Sequence, residues 1–230
     1  MPTDDRGGKA GSVPRMHRAA AIKAGYTTGA RKLAAQSMTG LARTRVTPNA
    51  LTTAGVTLCA LASTVVYFEY RNELLFFWLG ALVFVVGSVL DILDGALARA
   101  GGKTTPFGSF LDSTTDRVGE GFMLGAIALV FHRDADTTAL AFCFAALAGS
   151  FLVSYTRAKA ETLGLRGDVG IGSRAERVVV ITAGLVLAPW GVLPWAIYLL
   201  TATSWITVGQ RILHVRSQLV SGGSNGPNER

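Results

Sequence analysis

Charge is scarce in this chain. Only 16% of its 230 residues are Asp, Glu, Lys or Arg, against 50% hydrophobic residues and a mean hydropathy of +0.38. That balance excludes an ordinary soluble domain and points to an all-α, polytopic membrane protein. Cysteine is scarcer still. Cys59 and Cys143 both lie inside apolar runs, so they read as small core residues, not as a disulfide framework or a metal site. Acids are outnumbered by bases, 15 to 22, and the net charge of +7 suits a chain that lies against anionic lipid and handles phosphates. The basic residues flank apolar spans and gather in no single soluble patch, which argues against nucleic acid as a partner. Residues 1–14 lack the apolar core of a signal peptide, and no internal repeat is apparent.

What is present is a series of long apolar runs. Residues 1–14 are rich in Gly, Lys and Asp and are expected to be a disordered tail. Residues 15–46 set Arg15, Arg18, Lys23, Arg31, Lys32, Arg43 and Arg45 among Ala, Leu, Met and Tyr, which predicts a basic juxtamembrane helix along the cytoplasmic surface. Thr47-Pro48 then offers an N-cap and a first-turn proline. Six transmembrane helices follow within residues 47–216. They are expected at Leu51 to Phe68, Leu74 to Ala98, Phe110 to Phe131, Thr137 to Glu161, Arg174 to Ala188 and Leu193 to Val215. Residues 217–230 read as a second disordered tail. The even-numbered connections and both termini are basic, whereas the opposite connections hold only Arg71 and Arg133, each beside acids. By the positive-inside rule both termini face the cytoplasm.

The stretch Asp91-Ile-Leu-Asp94-Gly95-Ala-Leu-Ala98-Arg99, continued by Gly108-Ser-Phe-Leu-Asp112-Ser-Thr-Thr-Asp116, puts four carboxylates between apolar runs. On helices, Asp91 and Asp94 share one face, and so do Asp112 and Asp116. Acids at membrane depth are costly unless paired or ligating, so the group reads as a site. A carboxylate set without His or Cys suits a hard cation, Mg2+ or Mn2+ rather than Zn2+. Two antiparallel helices joined at Gly101-Gly102-Lys103 would face each other across such ions, which would stabilise charge on a transferring phosphoryl group. Spacing alone leaves a second reading open, buried acids paired with Arg99 and Arg117 as in an ion-coupled transporter.

The pattern D-x2-D-G-x2-A-R-x8-G-x3-D-x3-D resembles, position for position, the signature of the CDP-alcohol phosphotransferase family of membrane enzymes. The resemblance covers about residues 45–215. It implies a metal-dependent phosphatidyl transfer, with Asp91, Asp94, Asp112 and Asp116 holding the metal (two Mg2+ per site, with Mn2+ able to serve). Asp116 is also expected to act as general base on the acceptor hydroxyl. Asn49, Ala50, Leu51, Thr52, Gly95, Arg99 and Thr105 match positions that hold CDP-diacylglycerol. The resemblance also implies a homodimer, for which the sequence itself offers only small residues such as Gly121 and Gly125 on one span.

A second constellation bears on the acceptor. Ser150, Arg157 and Glu161 share a helical face, with Lys159 on another. Arg174 and Arg177 open the next span, and Arg211 ends the last on the same side. These cations could clamp a phosphorylated polyol, or they could be the basic ends that cytoplasmic helix termini carry anyway. Within the family this run is most similar to actinobacterial phosphatidylinositol phosphate synthases. That implies 1D-myo-inositol 3-phosphate as acceptor, held by Ser150, Arg157, Lys159, Arg174, Arg177 and Arg211. Those enzymes carry Lys then Arg where this chain has Arg157 then Lys159, and Arg-Pro-Glu-Arg where it has Arg174-Ala-Glu-Arg177. The nearest alternative is the same chemistry on glycerol 3-phosphate or another alcohol. A transporter would show inverted repeats and a helix broken at midplane, neither of which is apparent.

Overall fold

The computed structural model describes residues 47–100 and 105–223, with the backbone alone at 48, 95–100, 222 and 223. The expectations for residues 1–46, for the Gly101-Gly102-Lys103 turn and for the side chains of Gly95 and Arg99 lie outside the described residues. Among the described residues the fold is all-helical, with six α-helices: α1 Pro48–Tyr67, α2 Glu73–Ala100, α3 Pro106–Arg133, α4 Thr137–Thr162, α5 Arg174–Val186 and α6 Leu193–Gly223. Short 3-10 turns, Glu69–Arg71 and Ala188–Trp190, follow α1 and α5.

Side-chain caps mark the starts of α1, α3, α4 and α5. The Thr47 hydroxyl accepts from Ala50 N at 3.3 Å with Pro48 in the first turn, and Asp136 accepts from Ala139 N at 2.9 Å. Ser173 and Glu176 form a reciprocal capping box at the head of α5. The sequence reading starts α3 near Phe110; the helix begins earlier, at Pro106, because Thr105 accepts from Gly108 N at 2.9 Å. A second difference lies at the C-terminal end. Residues 217–223 are helical, not a disordered tail, because Gln218 pairs with both backbone groups of Arg166, accepting at 3.0 Å and donating at 2.8 Å.

Among the described residues, three stretches are long and apolar enough to cross a bilayer: Asn49–Arg71, Glu73–Asp94 and Thr137–Thr162. The other helices differ for visible reasons. α3 carries Asp112, Asp116, Arg117 and Glu120, and α6 mixes Thr201, Thr203, Ser204 and Thr207 into its apolar run. With 13 residues, α5 spans only about 20 Å, less than a hydrocarbon core of about 30 Å.

α1 packs on α2 and α3, α4 on α6 and α3, and α5 on α6 and α2. Val66, Phe84, Met123, Ile127, Ile181, Leu185, Ile197 and Leu200 fill the centre. In lipid the burial of such side chains gives little driving force between helices, so close backbone approach and polar contacts carry more of the association. α1 and α2 meet at Gly55 and Gly87, where a Cβ on either glycine would lie 3.1 or 3.0 Å from the other's carbonyl oxygen. Gly119 brings α3 equally near Cys59. At the end away from the acidic stretch, Glu69 is buried and paired to Arg133 at 2.5 Å, and the Arg133 guanidinium lies over the rings of Tyr67 and Tyr70. Trp78 donates to Val186 O at 3.0 Å, tying α2 to the end of α5. Leu75, Leu82, Ile92, Phe144, Trp195 and Leu199 point outward, as lipid-facing positions do.

Candidate active site

Four acids converge where the C-terminal half of α2 meets the N-terminal half of α3. Asp91 and Asp94 on α2 are buried, and Asp112 and Asp116 on α3 are half-buried. One oxygen from each of Asp91, Asp112 and Asp116 lies within 4.8 Å of the others, a spacing that a divalent ion can bridge. Asp94 is turned differently: its Oδ2 accepts from the hydroxyl of Thr52 on α1. The cluster therefore draws on three helices at the level of Asp94 and on a fourth through Arg174.

Arg174, the first residue of α5, reaches into the acids. Its Nη1 contacts Asp91 Oδ2 and lies 2.7 Å from Asp116 Oδ1. A guanidinium lodged between two carboxylates shows that the donor set draws a cation into this space, and hard carboxylate oxygens are the donors Mg2+ and Mn2+ prefer. Arg117, beside Asp116, lies 3.4 Å from its Oδ2 and turns its other bond to Ser113 O. Behind the cluster a small enclosed void is lined by Cys59, Ser88, Asp91, Thr115, Asp116, Glu120 and Arg174.

The expected donor residues divide in two. Asn49 and Ala50 are exposed at the head of α1, while Leu51 and Thr52 are buried in its packing. A Cβ built on Gly108 would lie 3.0 Å from Thr105 Oγ1 and 3.7 Å from Asn49 Oδ1. The heads of α1 and α3 thus bring Asn49, Thr105 and Gly108 together without bulk. Between α2 and α5 an apolar groove of about 790 Å3, lined by Val85, Val89, Ile92, Val179 and Val186, ends at Arg174.

The expected acceptor residues do not form one open clamp. Arg157 is exposed and paired with Glu161 at 2.9 Å; Lys159 is exposed on another side of α4. Ser150 is buried, with its hydroxyl making no hydrogen bond among the described residues. Arg211 is buried and donates to the carbonyls of Val169 (2.9 Å) and Val153, yet lies within electrostatic reach of Arg157 and Arg177. Arg177 is buried and binds Glu120, one turn along α3 from Asp116, and Gly172 O. Sequence reasoning gave Glu120 no role. Its one signal was position, since Glu120 continues the Asp112-Asp116 stripe by one further turn.

The family model for CDP-alcohol phosphatidyltransferase matches residues 45–209, which hold the cluster and every helix that builds it. The chain belongs to the CDP-alcohol phosphatidyltransferase family. Among relatives of this transferase, the archaetidylinositol phosphate synthase of Pyrococcus horikoshii is 38% identical over 183 residues, 79% of this chain and 90% of that one. The phosphatidylinositol phosphate synthase of Mycolicibacterium smegmatis is 37% identical over 76% of this chain and 80% of its own. A crystal structure of Mycobacterium tuberculosis phosphatidylinositol phosphate synthase with CDP-DAG bound superposes with a TM-score of 0.71 at 30% identity, covering 80% of this chain and 94% of that chain. The same enzyme in complex with manganese and citrate also superposes with a TM-score of 0.71, at 30% identity over 79% of this chain and 88% of that one. Family membership and the three bilayer-length helices together make this transferase an integral membrane protein.

Proposed function

We propose that this transferase moves the phosphatidyl group of CDP-diacylglycerol onto 1D-myo-inositol 3-phosphate, giving phosphatidylinositol phosphate and CMP. The observation that carries the transfer chemistry is the juxtaposition of three mutually close carboxylates, an arginine between them and an apolar groove that ends at that arginine. Such a place suits a diphosphate whose tails stay in lipid. The acceptor rests on the relatives, whose names carry inositol phosphate.

In this reading Asp91, Asp94, Asp112 and Asp116 hold Mg2+ or Mn2+. Bound there, the cations supply charge neutralisation for the diphosphate and for departing CMP. The chain's own residues do the rest. Asn49, Thr105 and the small Gly108 receive the nucleotide end, together with Ala50, Leu51, Thr52, Gly95 and Arg99. Thr52 keeps Asp94 aimed by its hydroxyl. Asp116 takes the proton from the acceptor hydroxyl. The acceptor oxygen bonds to the phosphorus that carries diacylglycerol, and the bond from that phosphorus to the CMP oxygen breaks. Ser150, Arg157, Lys159, Arg174, Arg177 and Arg211 gather the acceptor's phosphate, with Arg157 leaving Glu161 and Arg177 leaving Glu120 to do so.

The six helices all serve as spans, α5 with the turn after it. The basic residues at that end support a cytoplasmic position for the carboxylates, and in this reading the enzyme works as a homodimer. Asp116→Asn tests the mechanism. The expected result is a loss of turnover of about a hundredfold or more, with CDP-diacylglycerol still bound; near-normal turnover sinks the assignment of the base.

A further inference from the structure

We propose that Gln218 and Thr207, both on α6, are positioning residues for the acceptor: they latch the connection between α4 and α5, against which the acceptor's cations are set. The inference rests on the proposed reading of those cations as the site of the acceptor's phosphate.

The latch is a row of contacts on one face of α6. Arg211 follows Thr207 by four residues and Gln218 follows Arg211 by seven, so the three share that face. Thr207 Oγ1 accepts from Gly172 N at 3.0 Å and donates to Thr203 O at 2.7 Å. Arg211 Nε donates to Val169 O at 2.9 Å. Gln218 accepts from Arg166 N at 3.0 Å and donates to Arg166 O at 2.8 Å. The connection therefore runs antiparallel to α6, with residues 172, 169 and 166 beside 207, 211 and 218. From Thr207 to Gln218 the helix rises about 16 Å. The chain from Arg166 to Gly172 reaches about 20 Å when fully extended. It has little slack and cannot slide along α6 without breaking the row.

The same connection touches the cations. A Cβ on Gly167 would lie 3.1 Å from Arg157 Cα and 3.2 Å from Arg157 O, so the chain rests on the backbone of Arg157. Val169 O receives Arg211, and Gly172 O receives Arg177 at 2.8 Å. Cations from α4, α5 and α6 are thus set against one stretch of backbone. Where that stretch sits, their spacing follows, and a phosphate that meets several of them at once needs that spacing. Gln218 suits the outer end of the latch. Its carboxamide offers a donor and an acceptor side by side, and it uses both on a single residue.

The test uses the full chain in lipid nanodiscs, with Gln218→Glu, Thr207→Val, Thr207→Ser and the control Ser217→Ala. Gln218→Glu keeps size and helix propensity but sets an oxygen against Arg166 O. Kinetics are read with whichever acceptor the wild type turns over. The expected result is a rise in acceptor KM of about threefold to tenfold in Gln218→Glu and Thr207→Val, with donor KM within about twofold. Thr207→Ser keeps the hydroxyl and should restore most of the acceptor KM. Ser217 bonds within its own helix, to His214 O at 2.8 Å, so Ser217→Ala should match the wild type. Unchanged acceptor KM in Gln218→Glu, or an equal rise in donor KM, overturns the proposal. Gln218 lies at the partly exposed end, so its variant decides even where Thr207→Val fails to fold. A second readout needs no turnover: the rate at which trypsin cuts after Arg166, followed by fragment mass. Gln218→Glu should be cut about tenfold faster than the wild type; equal rates overturn the latch. A wild type that releases no CMP with any acceptor defeats the proposed function alone, and the cutting rates still judge the latch.

Discussion

Arg174 Nη1 lies 2.7 Å from Asp116 Oδ1 and also contacts Asp91, so one guanidinium from α5 joins carboxylates of α2 and α3. A cation that enters the cluster must share these oxygens with the arginine or displace it. Arg174→Gln should therefore tighten Mn2+ binding in substrate-free protein by about tenfold, or about 1.4 kcal/mol, while lowering transfer. Electron paramagnetic resonance of free Mn2+ reads the affinity. Weaker binding in the variant would mean that Arg174 supports the metal site instead of competing with it.

The crossing of α1 and α2 sits directly beside this chemistry. A Cβ on Gly87 would stand 3.0 Å from Gly55 O and 3.1 Å from Cys59 Sγ, and one on Gly55 would stand 3.4 Å from Asp91 Cβ. Gly87→Ala should cost about 1–3 kcal/mol and shift Asp91, so both melting temperature and turnover should fall. A Cβ on Gly125 would meet nothing within 4 Å among the described residues, so Gly125→Ala should melt like the wild type. Equal behaviour of the two variants would show that the helices have room to part.

At the opposite end, Arg133 balances the buried Glu69 and lies over Tyr67 and Tyr70. Truncating it strands a buried carboxylate. Arg133→Ala should destabilise by about 1–3 kcal/mol, lower because Arg133 is partly exposed, and leave both KM values unchanged. A changed KM would mean that the outer end is coupled to the site.

The segment between α4 and α5 is held on α6. Gly172 N donates to Thr207 Oγ1 at 3.0 Å, and Arg211 holds Val169 O. Gly170 has φ of +118°, and a Cβ there would meet Thr207 Cγ2 at 2.4 Å. Gly170→Ala combines backbone strain with a clash. On the proposed acceptor role of Arg211, it should raise acceptor KM several-fold and leave donor KM alone; the reverse pattern would detach Arg211 from the acceptor.

The all-helical class and the carboxylate cluster were legible because both are local patterns: long apolar runs, and acids spaced to share a helical face. Pairings across the chain were not. Nothing in the spacing tells that Asp94 turns to Thr52, or that Arg174 turns to Asp91 while Arg177 turns to Glu120. Those choices depend on how α5 sits beside α2 and α3. The start of α3 was legible and misread, since Thr105-Pro106 is an N-cap followed by a first-turn proline. The helical continuation to Gly223 was hidden because its support comes from Arg166, far away in sequence.

The most direct measurement is an acceptor panel. Purified protein in nanodiscs, with Mg2+ and CDP-diacylglycerol, is offered inositol 3-phosphate, inositol, glycerol 3-phosphate and serine in separate reactions. CMP and the lipid product are quantified together. The expected result is CMP release with inositol 3-phosphate alone, matched by equal phosphatidylinositol phosphate. Release with glycerol 3-phosphate instead would contradict the acceptor, and no release with any acceptor from folded, Mg2+-loaded protein would contradict the transfer site itself.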